Sequence, residues 1–204
     1  MKMIKIQGAI PRHIGVAVSG GVDSMAVLHF LSRNHEVTAY CFDHGTEFGA
    51  KALDFVAKYC EENRIPLQRG HIASDCPKGI SREEHWRNER YAWFQTFERL
   101  IVLGHHLDDC VETYVFNMCN GTAHHMPYRH ANAIRPFRLT RKQELIMWAN
   151  QHNVPYLYDP SNENEEFTRN YVRHKVVPTM LRVNPGLHKV VKKQLMEQLN
   201  DTQG

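Results

Sequence analysis

The 204-residue sequence predicts an α/β fold, a doubly wound parallel sheet with a short helical C-terminal tail. Three observations lead there. Over the first 120 residues short apolar runs alternate with longer amphipathic stretches, the pattern of parallel strands joined by crossover helices. Two strand-to-helix junctions are dense in glycine, hydroxyl and carboxylate residues, at the edge where open α/β sheets bind ligands. Beyond residue 140 the apolar runs cease and the pattern turns helical and basic.

Taken in order, Ile14 to Val18 is a buried strand, short and free of charge. Val22 to Leu31 is the helix after it, with Val22, Met25, Ala26, Leu28 and Leu31 on its apolar face. Glu36 to Phe42 is strand two. Glu47 to Asn63 is a helix with Leu53, Val56, Ala57 and Cys60 at core spacing. It is stopped by Ile65-Pro66, because the residue before a proline is pushed out of the helical region. Leu67 to Ile72 forms strand three, Ile80 to Phe97 a long charged helix, and Leu100 to Leu103 a wholly apolar fourth strand. A helix from Leu107 to Met118 leads into a histidine-rich loop, Asn120 to Asn132, opened by Asn-Gly. A short strand at Ala133 to Phe137, a helix from Arg141 to Gln151 and a loop at Tyr158 to Asn164 follow. Glu165 to Leu199 reads as helical, with breaks near Pro178 and Pro185. Two units result: residues 1–140 with the sheet, and a basic helical extension, 141–204, packed on it.

Composition excludes several classes. Apolar residues make up 42% and charged residues 23%, which leaves no room for a fibrous or disordered chain. No run of about 18 apolar residues occurs, and the first residues, MKMIKIQGAIPRH, lack the apolar core and cleavage site of a secretory leader. Five cysteines, odd in number and without a C-x-x-C pair, argue against a disulfide scaffold or a zinc ribbon. A cytoplasmic protein without membrane contact is the expectation. Neighbouring histidines, His105-His106 and His124-His125, point in different directions, so no metal site is expected from a side-chain cluster. The net charge of +3 conceals an asymmetry: residues 1–126 carry −2, residues 127–193 carry +7 and the remainder −2. A basic stretch of that kind suits a polyanion.

The most informative segment is Ser19-Gly20-Gly21-Val22-Asp23-Ser24, directly after the first strand. A helix starting there aims its backbone N–H groups and the positive end of its dipole at one point, an anion site. Adjacent glycines let the backbone approach a phosphate, and the Ser19 and Ser24 hydroxyls add donors. A plain turn capped by Ser19 or Asp23 is the alternative for so short a string. The second segment is Gly104-His105-His106-Leu107-Asp108-Asp109-Cys110-Val111-Glu112-Thr113. At helical spacing Asp108 or Asp109 shares a face with Glu112. These carboxylates either cap the helix or position Mg²⁺, through Asp109, or a cationic amine.

These strings resemble known ones. SGGVDS after an apolar strand resembles the PP-loop of the N-type ATP pyrophosphatases, the adenine nucleotide alpha hydrolase-like fold, which cleave ATP to AMP and pyrophosphate. The second resembles the GHxxDDxxET element of tRNA-modifying PP-loop enzymes, which implies roles for His105, Asp108, Asp109, Glu112 and Thr113. Arg87-Asn-Glu-Arg90-Tyr91 is similar to their R-x-x-R-Y, on a helix facing the site, and Asp43-His44-Gly45 to their D-H-G. Tyr158-Asp-Pro-Ser-Asn162 with Arg169-Asn170 and Arg173-His174 resembles the D-P-S-N…R-N…R-H segment of the tRNA(Ile)-lysidine synthetases. On a helix Arg169 and Arg173 are i,i+4 neighbours able to reach a phosphate, or to pair with Glu165 and Glu166.

The resemblance implies a ligase that uses ATP and Mg²⁺. It would adenylate the wobble cytidine of a tRNA and join free lysine to its C2. Ser19, Gly20, Gly21, Asp23 and Ser24 would bind ATP, and Asp108, Asp109, Glu112, His105 and Arg87 would act in catalysis. Arg169, Asn170 and Arg173 would meet the tRNA. Those synthetases usually carry further C-terminal domains, so a weak grip on tRNA, or help from a second subunit in a homodimer, is expected. The stretch Glu112 to Met118, with Gly121, Met126-Pro127 and Ile134-Arg135-Pro136, is similar instead to tRNA thiolases. Those use a C-x-x-C pair for an iron–sulfur cluster, whereas Cys110 and Cys119 read as buried apolar side chains. The alternatives are thus a PP-loop thiolase or amide-forming enzyme on another base or small molecule, or a non-catalytic ATP-binding module.

Overall fold

The computed structural model describes residues 4–200, so the ends of both expected units, 1–3 and 201–204, lie outside the described residues. The sheet-bearing part runs β1 (His13–Ala17), α1 (Val22–Ser32), β2 (Glu36–Asp43), α2 (Glu47–Glu62), β3 (Leu67–His71), α3 (Arg82–Gln95), β4 (Ile101–Val102), α4 (Leu107–Cys119), β5 (Arg129–His130) and β6 (Ala133–Ile134). Among the described residues six strands form one sheet, in the order β3-β2-β1-β4-β6-β5. Every pair is parallel except β5 with β6. From β1 the chain builds outward through β2 and β3, then returns to place β4 on the other side of β1. This reversal opens a crevice beyond the carboxyl ends of β1 and β4.

Alternation along the strands sorts the core into two layers. Ile14, Val16, Val37, Ala39, Cys41 and Val102 pack with Met25 and Leu28 of α1 and Val56 and Cys60 of α2. Tyr40, Ile101 and Leu103 point to the other face, against Tyr91 and Phe94 of α3. Each such side chain, fully buried, contributes about 1.5–3 kcal/mol.

The chain beyond residue 140 packs in two places. Leu145 and Ala149 of α5 (Lys142–Gln151) join the first layer with α1. By contrast, α6 (Thr168–Tyr171), α7 (Val177–Val183) and α8 (Leu187–Asn200) build a cluster of their own on α4. There Val172, Val177, Leu187, Val191 and Leu195 surround Leu107, Val111 and Val115.

Three expectations change. The loop ascribed to Asn120–Asn132 ends in β5, which pairs back on β6 through a turn at Ala131 with φ 53°. Helix begins at Thr168, not Glu165, after a 3-10 turn at Pro160–Glu163. Pro178 does not break it either, because a π turn, Val172–Val176, precedes the proline and joins α6 to α7. A proline clashes with the carbonyl four residues before it, and the widened turn makes that room. The break expected near Pro185 is present, between α7 and α8. Among the described residues no helix is long and apolar enough to cross a membrane.

Candidate functional site

Two helix starts lie side by side at the crevice. At the first, Gly20 has φ +80°, a conformation open to glycine and strained for other residues. Gly21 stands in the N-cap position of α1 and offers no side-chain cap. The first-turn amides of α1 therefore have neither an intrahelical partner nor a cap. Ser24, expected to offer its hydroxyl to a phosphate, is buried and closes the loop instead. Its Oγ donates to the Gly21 carbonyl at 2.9 Å and accepts the Ser19 N–H at 3.1 Å. Ser19 is exposed. From the far side Leu157 donates its N–H to the Gly20 carbonyl at 2.8 Å and bridges Gly21 like a strand. That brace links residues 137 apart and has no signal in the sequence.

The second start is the N-terminus of α4, and it is closed. The N-cap is His106, whose Nδ1 accepts the Asp109 N–H at 3.2 Å, while Asp109 Oδ2 accepts the His106 N–H at 2.9 Å. Together they form a capping box. The His106 Nε2 lies 3.5 Å from Asp23 of the first loop. Burial opposes the charge on this ring, but Asp109, Asp23 and Asp108 outweigh it and bring its pKa up to about 9. Charged, Nδ1–H turns from the amide to the Asp109 carboxylate, 3.3 Å away. Gly104 lies against the first start, where a Cβ would sit at van der Waals distance, 3.4 Å, from the Ser24 Cα.

The expected carboxylates have separate occupations. Asp108 accepts the Arg141 guanidinium at both oxygens, at 3.0–3.2 Å, the Lys142 N–H at 2.8 Å and His188 Nε2 at 3.1 Å. Burial works against its charge, yet these donors hold the carboxyl far below its usual range. It is a clasp joining α4, α5 and α8, with no lone pair left for a substrate. Glu112 is gripped by Arg173 through two bonds of 2.8 Å. Asp109 stands 3.7 Å from the same guanidinium. Despite burial, His106 and Arg173 keep its carboxyl below the usual range.

A cavity of about 140 Å³ opens here, lined by His105, Asp109, Glu112, Arg169 and Arg173, with Phe116, Met126 and Val172 as its apolar wall. Arg169 lies over the Phe116 ring at 5.4 Å. His105 accepts Arg135 Nε at 3.3 Å, and burial pushes its pKa down to about 3, so it stays neutral. Asn170, expected to meet RNA, donates to the carbonyls of Ser161 and Asn164 and orders the loop before α6. Arg87, expected to face the site, is exposed over the Tyr91 ring at 5.7 Å. It falls about 200° round α3 from the buried His85, at 3.6 residues per turn. Arg173 pairs across the fold rather than with Glu165, which takes Lys175 at 2.9 Å.

Sequence reasoning missed Arg141 and His188, which only the fold brings to these acids, and the capping part played by His106, three residues before Asp109. It also missed the fully buried Arg135 and Arg138, which hold the carbonyls of Pro127 and Met126 and so fix one wall of the cavity. The thiols split: Cys110 is buried, which raises its pKa to about 12, whereas Cys119 is exposed at the end of α4. For the magnesium that ATP implies, the loop offers one carboxylate oxygen without a partner, Asp23 Oδ1. Asp109, expected in that role, has one oxygen engaged by the cap. Among the described residues no three His, Cys, Asp or Glu side chains group as a metal site.

Comparison with known proteins places this geometry. A family described as a PP-loop domain matches residues 2–180. The tRNA(Ile)-lysidine synthase of Thermotoga maritima is 34% identical over 200 residues, covering 88% of this chain and 48% of that protein. That of Porphyromonas gingivalis is 33% identical over 197 residues, covering 88% and 43%. The chain thus spans less than half the length of these relatives. Among solved structures, the U34-tRNA thiolase NcsA of Methanococcus maripaludis superposes with a TM-score of 0.72 at 17% identity, covering 92% of this chain and 72% of that one. The NH3-dependent NAD synthetase of Campylobacter jejuni gives 0.52 at 16% identity, covering 93% and 86%. Both show a shared fold.

Proposed function

The chain belongs to the PP-loop domain family, and from that premise we propose that it is an ATP-dependent tRNA-modifying ligase that makes lysidine. In this reading the C2 carbonyl oxygen of a wobble cytidine displaces pyrophosphate from the α-phosphate of ATP. An amine of free lysine then attacks C2 and loses a proton, and the oxygen departs with AMP. The supporting observation is the uncapped, glycine-built start of α1 set against the carboxylates of α4.

Residue by residue, the first-turn amides of α1 and the Gly20-Gly21 turn hold the leaving phosphates and stabilise the charge that grows on them. Asp23 would hold the magnesium, which neutralises phosphate charge when bound. The cavity suits a zwitterion with an aliphatic stem. Arg169 would meet a carboxylate, Asp109 an ammonium, and Phe116, Met126 and Val172 the methylenes, with the bonded Glu112–Arg173 pair as one wall. Asp109, held ionised, positions the ammonium electrostatically and is a weak proton acceptor.

The basic stretch is net +7 over 127–193; Arg135 and Arg138 in it are buried, and the exposed Arg129, Arg169, Arg182, Lys189 and Lys193 would meet the RNA backbone. The test is nucleoside analysis of tRNA incubated with the protein, ATP and lysine. A lysine-bearing cytidine is expected. A sulfur-bearing base, or unmodified tRNA with ATP intact, would reject the reading.

A further inference from the structure

An arginine buried without a counter-ion is destabilising unless something outside the fold completes it. Arg90 on α3 comes close to that position: it is half-buried, and among the described residues no carboxylate pairs with it. Its Nε is buried with no hydrogen-bond partner. Its guanidinium lies over the Tyr91 ring at 6.0 Å, and that ring is already shared with two other cations. Arg87 sits over it at 5.7 Å and Arg135 donates to its hydroxyl. Burial, Arg87 and Arg135 all depress the Arg90 pKa.

Across from Arg90, just past the end of β2, stands His44. Its Nδ1 is likewise buried and unpartnered, and its ring stacks on Trp86 of α3 at 5.3 Å with 28° between planes. The carboxylate next to it, Asp43, accepts the Gly45 N–H at 2.9 Å. Burial and the Arg90 charge bring the His44 pKa down to about 4, so at neutral pH one nitrogen carries a proton it can donate. Two motifs far apart in sequence, Asp43-His44-Gly45 and Arg87-x-x-Arg90-Tyr91, thus meet beside the strand next to β1, which carries the phosphate loop.

We propose that Arg90 and His44, with Arg87 on the outer side, form a second oxyanion site that takes one phosphate group of a substrate. The site rests on the tRNA-ligase reading only for its second source of phosphate. That group belongs either to ATP or to the RNA backbone, and both present the same tetrahedral oxyanion to a guanidinium fork.

The test compares wild type with Arg90→Met and Arg90→Lys. It measures thermal melting without ligand, ATP affinity by calorimetry, and the salt dependence of binding to an anticodon stem-loop RNA. Arg90→Met is expected to raise the melting temperature by about 2–4 °C, because an uncompensated charge has been removed. It should also weaken one ligand at least tenfold, with Arg90→Lys restoring part of the loss.

Loss of ATP affinity with an unchanged RNA salt slope assigns the site to the nucleotide. A log–log slope flatter by about 0.7–0.9, one phosphate contact, with ATP unaffected, assigns it to RNA. A folded Arg90→Met protein that binds both ligands as wild type does would overturn the proposal. So would a lowered melting temperature with both affinities unchanged, the mark of a purely structural arginine. If the wild type binds ATP and no RNA, the tRNA reading fails while the ATP arm still decides this site.

Discussion

The N-termini of α1 and α4 lie side by side at the same sheet edge and are finished in opposite ways. α4 is closed by its own residues: Asp109 accepts the His106 N–H, and the His106 ring packs against the Asp109 carboxylate at 3.3 Å. α1 presents Gly21 with no cap at all. Gly21 has φ −75° and a Cβ there would meet only Ser19 Oγ, at 3.7 Å. Neither strain nor crowding demands glycine at that position. Its lack of a side chain leaves the first turn of α1 without a side-chain cap, at some cost in local helix stability. The acids at α4 meanwhile are locked in place by partners from distant parts of the chain.

Closing the open helix should have the largest effect. Gly21→Asp supplies the missing cap and a negative charge where phosphate would sit. ATP affinity should fall at least 100-fold while folding stability holds or rises by the few tenths of a kcal/mol by which an Asp cap exceeds glycine. Calorimetric titration and a thermal melt check both halves. Undiminished ATP binding would mean the loop is only a turn.

Opening the closed helix comes next. Asp109→Asn removes the charge facing the cavity and weakens the capping box. Turnover in single-turnover tRNA modification should drop on the order of 100-fold, with ATP affinity within about threefold of wild type.

The His106 charge should appear in the pH dependence of stability. Its folded pKa of about 9 lies above the ordinary 6.5. The stability it contributes, on the order of a few kcal/mol, is fully present below pH 6.5 and is lost as pH rises through 9. Urea midpoints from pH 6 to pH 10 should fall in the wild type. His106→Asn, which keeps a cap acceptor, should flatten that fall, and parallel curves for the two proteins would contradict it. Smallest is Ser24→Ala, which removes the two hydrogen bonds that close the loop, for about 1 kcal/mol of stability. Denaturant titration should show that loss, with a modest rise in the ATP dissociation constant.

The same two helices mark how far the sequence could be read. Short apolar runs and period-3.6 patterning locate β1, α1, β2 and α2 within a residue or two, because each buries a local apolar pattern. Both helix starts were legible for the same reason, since loop glycines and first-turn acids are local signals. The partners of those acids were not. Arg141, His188 and Arg173 reach Asp108 and Glu112 over separations of 33, 80 and 61 residues, and sequence spacing carries no information about such pairs. Asp108 therefore looked like a catalytic acid until its donors were in view. Arg87 and Arg90 are equivalent in sequence, and only the packing of α3 tells the exposed one from the half-buried one. The two-residue β5 is too short to show a period, and Pro178 stays inside a helix because a π turn accommodates it.

The central claim is that the open end of α1 receives the phosphates that leave ATP together. The measurement is chromatography of the phosphate-bearing products after the protein, ATP labelled at its α- or γ-phosphate, lysine and tRNA have reacted. AMP and pyrophosphate in equal amounts, both abolished by Gly21→Asp, are the predicted result. ADP and inorganic phosphate would contradict it.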